Sequence, residues 1–361
     1  MLIVAEGTSG QVLPQNKGAF SWDTLPSIPD SVGFAGSFAG VADGALVVAG
    51  GSNFPGGGTP WNGGVKKWYD KIFVLEKPND RWKEAARLPF ALGYGVSVST
   101  SDGLILIGGS NKSGHYSDVL KINYRNGKLD IEKLPSLPFP LANMCGALVG
   151  NKIFIAGGLS APNSSKTENA FLCFDLQKKN GGWKRLPTWS GPSRMLSVAG
   201  SDGKQFFLFS GTELVNGTRV YLRDAYAFSE KDGWKQLADL PNAVVAAPSP
   251  SFFNKQSLYI FGGDTGKDAK QAAELKEKHP GFSDVILSYD IMQNKWWMAG
   301  RILTKRKEDA EKNPNNSTWA PVTTTLAVWN NQIVLPGGEV RPATRTPNVI
   351  TGSPHPSGGG E

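Results

Sequence analysis

Along the chain, short apolar runs that end in a pair of small residues recur six times. They are Ala45–Val48 before Ala49-Gly50-Gly51, Leu104–Ile107 before Gly108-Gly109, and Ile153–Ala156 before Gly157-Gly158. The later three are Phe206–Phe209 before Ser210-Gly211, Leu258–Phe261 before Gly262-Gly263, and Ile333–Pro336 before Gly337-Gly338. Runs this short, bounded by turn residues, predict strands buried on both faces rather than helices. Ahead of most of them stand two-residue hairpin signals such as Ala42-Asp43-Gly44, Ser101-Asp102-Gly103 and Ser201-Asp202-Gly203, which join an inner strand to the apolar one. After each pair comes a loop and an alternating strand, for example Lys71–Leu75, Ala170–Asp175, Asp224–Phe228 and Val285–Asp290. A fourth strand, headed by Trp82, Trp183, Trp234 or Trp296-Trp297, closes most units. The second unit has Ile131 through Leu134-Pro135 in that place.

The first residues of the six pairs stand at 50, 108, 157, 210, 262 and 337, spaced by 58, 49, 53, 52 and 75. That is close to the period of about 50 residues of kelch repeats. Four antiparallel strands per unit and six units predict an all-β, six-bladed kelch-type β-propeller. The sixth unit runs out of chain after Pro347-Asn348-Val349-Ile350, and its Trp-headed strand is found at the other end, in Phe20-Ser21-Trp22-Asp23-Thr24-Leu25-Pro26. The N-terminal strand is therefore expected to close the last blade. This divides the chain into an N-terminal extension over 1–19, a propeller over 20–352 and a solvated tail over 353–361. Two insertions interrupt the regularity. Residues 264–283 contain a short helical pattern from Asp268 to Lys278, and 303–318 form a charged connection. Each reads as solvated decoration or as a partial lid over a site.

Composition narrows the chemistry. The 361 residues hold 44 Gly, 24 Pro and 11 Trp, a mixture suited to many strands and tight turns. Against 38 Lys and Arg stand 31 Asp and Glu, a net +7 with no basic block, which argues against nucleic acid but suits a small anionic substrate. His115, His279 and His355 fall at no metal-ligand spacing, so no metal or cofactor is expected, and a propeller-type copper radical oxidase is disfavoured. Cys145 and Cys173 lie in apolar runs and read as buried, inert thiols. No run is long enough for a membrane span, and no signal peptide is visible at Met1-Leu2-Ile3-Val4-Ala5-Glu6. Oligomeric state is not legible.

Propeller topology gathers the residues after each small pair, and those opening each inner strand, around the axis on one face. They include Asn53, Asn111, Glu213, Asp264 and Glu339, with Phe38, Tyr94, Asn143 and Arg194 from the inner strands. Asn53 and Asn111 are suited to satisfying turn backbone groups, and Asp264 to capping the inserted helix. Arg194 reads either as a channel brace or as a ligand contact; Tyr94 and Phe38 either stack on a sugar or pack the core. The last unit is richest, with Glu339, Arg341 and Arg345 within seven residues of a Pro-stiffened loop. A carboxylate beside guanidinium forks can set an acid/base group next to an anion clamp, or simply brace the loop.

With its six kelch units, its helical insert in one blade and its Gly337-Gly338-Glu339…Arg345 loop, the chain resembles the N-acetylneuraminate epimerases, or sialic acid mutarotases. Gly50-Gly51-Ser52-Asn53-Phe54-Pro55 and Tyr94-Gly95-Val96-Ser97 strengthen the likeness, with the blades in cyclically permuted order. The resemblance implies Glu339 as proton acceptor and Arg345 six residues on as its catalytic partner. Arg341, Arg194, Asn53, Tyr94 and Glu213 are then candidate contacts to the substrate. The activity it implies is interconversion of the α and β anomers of free sialic acid, in a periplasmic or secreted setting. A non-catalytic kelch propeller that binds a protein or glycan on its loop face is the alternative expectation.

Overall fold

The computed structural model describes residues 18–178 and 181–355, and in it the six repeats form six four-stranded antiparallel sheets. Blade 1 consists of Phe38–Ala42, Ala45–Ala49, Lys71–Leu75 and Lys83–Arg87. Blade 2 is Val96–Thr100, Gly103–Asn111, Gly114–Arg125 and Lys128–Leu134, and blade 3 is Cys145–Val149, Lys152–Ala156, Phe171–Asp175 and Lys184–Arg185. Blade 4 follows with Val198–Ser201, Phe206–Val215, Thr218–Ser229 and Gly233–Gln236, then blade 5 with Phe252–Asn254, Ser257–Gly263, Ser283–Asp290 and Lys295–Arg301. Blade 6 takes Ala327–Trp329, Gln332–Pro336 and Val349–Pro354 from the C-terminal end and Phe20–Leu25 from the N-terminal end. The register runs from Phe20 opposite Pro354 to Leu25 opposite Val349. The N-terminal strand thus closes the ring, and its partner continues through Ser353 and Pro354. Residues 1–17 and 356–361, which make up most of the expected extension and tail, lie outside the described residues.

The reason these strands are apolar on both faces is that each sheet is sandwiched between two others. Ile153 and Ile155 point into a cluster shared with blade 2, whereas Phe154 and Ala156 point into one shared with blade 4. Equivalent clusters fill the other four junctions. Burial pushes the thiols of Cys145 and Cys173 up to about 12 and about 11, which leaves them protonated and unreactive at neutral pH.

The Trp-headed strands have a further role that their repetition alone does not reveal. The indole N–H of Trp82 donates to the carbonyl of Pro26 at 2.7 Å, that of Trp183 to Pro135 at 3.0 Å, and that of Trp234 to Pro187 at 2.8 Å. Each ties its outer strand to the Leu-Pro end of the preceding blade. Trp296 does the same to Ala238.

At the axis the blades are joined by a closed ring of six backbone hydrogen bonds. Gly36 donates to Thr323, Tyr94 to Gly36, Asn143 to Tyr94, Leu196 to Asn143, Ala246 to Leu196 and Thr323 to Ala246, all at 2.7–2.8 Å. All six residues have left-handed φ, from 54° at Thr323 to 68° at Gly36. A β-branched residue seldom holds that conformation; here two ring bonds fix it. The ring is the floor of the site.

The insert at 264–283 is less helical than its pattern suggests. Only Ala272–Leu275 is α-helical, followed by a 3-10 turn over Lys276–Lys278. No side chain caps its start, and Lys276 at φ 47° breaks it. Among the described residues, no helix is long and apolar enough to cross a membrane.

Candidate active site

Immediately after each small-residue pair, the chain bridges to the residue that precedes the ring. Glu339 exchanges both backbone hydrogen bonds with Val322 at 2.8 Å, and Asp264 occupies the same place in blade 5 opposite Val245. Six such positions surround the axis: Ser52, Ser110, Leu159, Thr212, Asp264 and Glu339. Two of them are acids, and both line a cavity of about 710 Å³ above the ring. This volume lies in the range of small-molecule sites. Beneath the ring lies a separate void of about 70 Å³.

Glu339 opens a two-stranded hairpin in which Glu339–Arg341 pairs with Thr344–Arg345. The turn residue Ala343, at φ 61°, donates its N–H to Glu339 Oε1 at 2.8 Å. Glu339 Oε2 lies 3.6 Å from Arg345 Nη2, with the two side chains 20% and 5% exposed. Arg345 stacks over the Phe54 ring at 4.8 Å, yet its Nε and Nη1 are buried without a hydrogen-bond partner. Burial opposes the charge on Arg345, but Glu339 and Tyr94 outweigh it and keep the guanidinium protonated. Two orphaned donors on a cation that lines the cavity leave part of its hydrogen-bonding capacity unspent.

Tyr94 bridges this group to blade 1. Its hydroxyl is 2.8 Å from Ser52 Oγ, and Lys66 Nζ sits 4.1 Å above its ring. Its ring lies directly on Gly36, where a Cβ would come within 2.8 Å of it. Burial alone would raise the phenol, but Lys66 and Arg345 reverse that and hold it below the usual tyrosine value. Across the floor, Tyr221 donates its hydroxyl proton to Asp264 Oδ2 at 2.7 Å, and Asp264 Oδ1 accepts from Gly266 N–H at 2.8 Å. Asp264 therefore closes an Asx turn and holds a tyrosine; it does not cap the inserted helix.

Part of the wall comes from the insert, through Gly266, Ala269, Lys270, Ala272, His279 and Phe282. Reaching past blade 6 to blade 1, its Glu277 carboxylate accepts from Trp61 Nε1 at 2.7 Å and Asn62 Nδ2 at 3.2 Å. Burial pushes His279 below its ordinary value, and its Nδ1 accepts from Gly281 N–H at 3.1 Å.

Of the residues singled out by sequence, Glu339, Arg345, Tyr94, Asn143 and Asp264 line this cavity, and Arg194, Arg341, Asn53, Asn111, Glu213 and Phe38 do not. Arg194 is 0% exposed. Its guanidinium makes two bonds to Asp224, at 2.9 and 2.6 Å, and donates to Ser210 and Pro192 carbonyls, so it braces the blade. Arg341 leaves the hairpin on the other side of a register shift. It donates to the carbonyls of Glu277 and Glu311 and stacks on Trp319 at 5.4 Å, tying the two insertions together. Asn53 is 1% exposed and spends its amide on Gly33, Asp30 and Tyr69. Glu213 accepts from Ser193 at 3.4 Å on a strand extension of blade 4. Phe38 is fully buried in the junction between blades 1 and 2.

Lys66, Tyr221, Arg219, Lys270 and His279 are lining residues that sequence reasoning missed. For Tyr221 and Arg219 a signal existed, since the blade 4 hairpin of Phe206–Val215 and Thr218–Ser229 is longer than a blade requires. Counting only described residues, the lining carries four cations (Lys66, Arg219, Lys270 and Arg345) against two acids, Asp264 and Glu339. That excess favours an anionic ligand.

A family model described as N-acetylneuraminate epimerase matches residues 7–131 and 134–357. The N-acetylneuraminate epimerase of Haemophilus influenzae (strain 86-028NP) is 34% identical over 242 residues, which is 60% of this chain and 58% of that protein. The one from Yersinia pestis (strain Pestoides F) is 38% identical over 109 residues, 28% of this chain and 27% of its own length. The solved structure of YjhT superposes with a TM-score of 0.64, covering 90% of this chain and 96% of that one at 16% identity, a likeness of fold. The aligned stretch thus spans little more than half of the Haemophilus influenzae relative, while the family model runs nearly from end to end of the chain. Matched over that length, the chain belongs to the N-acetylneuraminate epimerase family.

Proposed function

We propose that this protein is an isomerase that interconverts the α and β anomers of N-acetylneuraminate, with Glu339 as the proton-transfer group and Arg345 as the holder of the substrate carboxylate. The observation that carries this reading is the pair of buried, unpartnered donors on Arg345 beside a carboxylate 3.6 Å away. A 2-keto sugar acid brings its own carboxylate next to its anomeric carbon, so one ligand satisfies both groups. Lys66 adds a second positive charge on the same side of the cavity.

The reaction needs only proton transfer and one bond rotation. Glu339 takes the proton of the anomeric hydroxyl as the C2–O bond gains double-bond character. The bond from C2 to the ring oxygen breaks, its electron pair goes to that oxygen, and the proton held by Glu339 is delivered there. Rotation about C2–C3 presents the other face of the ketone. Reclosure reverses the transfers and returns Glu339 to its starting form. Such general acid/base assistance is worth roughly 10²- to 10⁴-fold, and the half-buried setting of Glu339 keeps bulk water from competing. Free sialic acid outside the cytoplasm is the setting this reading implies, which fractionation of the native cell tests.

The direct test is a proton NMR time course of freshly released α-N-acetylneuraminate with and without the protein. Faster approach to the β-rich equilibrium supports the reading. An unchanged rate overturns it in favour of a binding propeller.

A further inference from the structure

We propose that Tyr221 and Asp264 form a second subsite in the same cavity, one that accepts hydrogen bonds from the hydroxylated side chain of the sugar acid and so fixes which end of the substrate meets Arg345. This inference rests on the activity proposed above and adds a specificity-determining pair to it.

Donor and acceptor accounting carries the argument. A phenol has one proton, and Tyr221 gives it to Asp264 Oδ2 at 2.7 Å. What remains on the phenol oxygen is acceptor capacity. Asp264 is acceptor-only as a carboxylate, and one oxygen already takes the Gly266 N–H. The pair therefore offers the cavity lone pairs and negative charge, with no proton to give. It rewards a ligand that brings O–H or N–H groups, and Arg219 beside the phenol balances part of its charge. Burial and the neighbouring Asp264 raise the Tyr221 phenol well above its ordinary value, so it keeps that proton throughout the working range.

The pair is also rigidly placed. Tyr221 sits on the extended hairpin of blade 4 opposite Thr212, beyond the bulge at Ser210. Its ring packs on Gly266, which has φ 79° and whose hypothetical Cβ would fall 2.8 Å from the ring. Arg345 and Lys66, by contrast, belong to blades 6 and 1. The acceptor pair thus stands on different blades from Arg345 and Lys66, with Arg219 of the Tyr221 strand beside the phenol. A nine-carbon sugar acid has matching ends, a carboxylate at C1 and a three-carbon polyol at C7–C9.

The test compares N-acetylneuraminate with its analogue lacking C8 and C9, by titration calorimetry and by the NMR anomer assay, on the wild type, Asp264→Ala and Tyr221→Phe. The wild type is expected to bind the full substrate roughly tenfold or more tightly than the truncated one, the usual loss when acceptors are left unpaired. In Asp264→Ala that ratio is expected to fall to about one, and in Tyr221→Phe to an intermediate value, with unchanged circular dichroism in both. A variant that keeps the full ratio overturns the subsite. So does one that weakens both ligands equally, since the pair would then be structural. Preferential binding without faster mutarotation would sink the proposed activity but leave the subsite standing. Absence of binding to either ligand by the wild type would sink both.

Discussion

Glu339 and Arg345 are direct register partners across a short hairpin, yet their charged groups stop 3.6 Å apart. That gap exceeds a hydrogen bond. Arg345 holds the carboxylate electrostatically without consuming it, and two of its own buried donors have no partner. The pair is poised rather than closed.

A planar fork is what the proposed carboxylate contact requires, so Arg345→Lys is not a conservative change. Losing a bidentate, charge-assisted contact raises KM by about 10- to 100-fold while kcat falls less. Steady-state anomer kinetics at several substrate concentrations check this. A fall in kcat with KM unchanged would place Arg345 in the chemical step alone.

Arg194 predicts the opposite behaviour. Removing it leaves Asp224, whose side chain is 15% exposed, without its two bonds to a fully buried guanidinium, and breaking such a pair costs up to about 3–5 kcal/mol. Arg194→Met should lower the unfolding free energy read from urea melts by up to that amount, with KM for N-acetylneuraminate unchanged in the folded fraction. A raised KM with intact stability would return Arg194 to the substrate.

How far the sequence could be read follows from these two arginines. The Gly-Gly punctuation, the hairpin signals and the Trp-headed strands are local, and they specify six blades and the closure by Phe20–Leu25 because every blade repeats one solution to the same packing problem. The direction in which a side chain leaves the loop is not local. Arg341 and Arg345 are four residues apart, but the register shift between Glu339 and Arg341 sends one to the insertions and the other to the cavity. Arg194 occupies a site-facing position in the pattern, and Asp224, thirty residues on, diverts it together with the Pro192 and Ser210 carbonyls. Tyr221 and Lys66 reach the cavity from loops and extensions whose course depends on neighbouring blades. Their chemistry was legible and their destination was not.

The insertion that walls the cavity is fastened twice at Glu277, through its side chain and through its carbonyl. Trp61→Phe deletes the indole donor to Glu277, and Arg341→Ala removes the strut to Glu277 and Glu311. Hydrogen exchange over 264–283 is expected to quicken in both variants, and over 303–318 in Arg341→Ala alone. Uniform exchange across the two insertions in Trp61→Phe would contradict this division.

His279 makes the same wall sensitive to pH. Burial lowers it, Arg341 and Arg306 add to that, and Asp268 and Asp264 oppose. The unfolded chain therefore takes up this proton near pH 6.5 while the folded one still refuses it. Stability is lost as pH falls from that value towards the folded-state value, then levels off. His279→Asn can keep an acceptor near Gly281 N–H and does not titrate. The difference in melting temperature, wild type minus variant, should decline between pH 7.5 and 5. A flat difference would mean that His279 titrates alike in both states.

The most direct test of the account is the NMR time course run with Glu339→Gln. The amide keeps the size of the side chain and removes the base. The wild type should speed conversion of α-N-acetylneuraminate to the β anomer, and the variant should lose about 10²- to 10⁴-fold of that acceleration while still binding the sugar acid by calorimetry. A variant that equilibrates the anomers as fast as the wild type would show that Glu339 does not carry the proton.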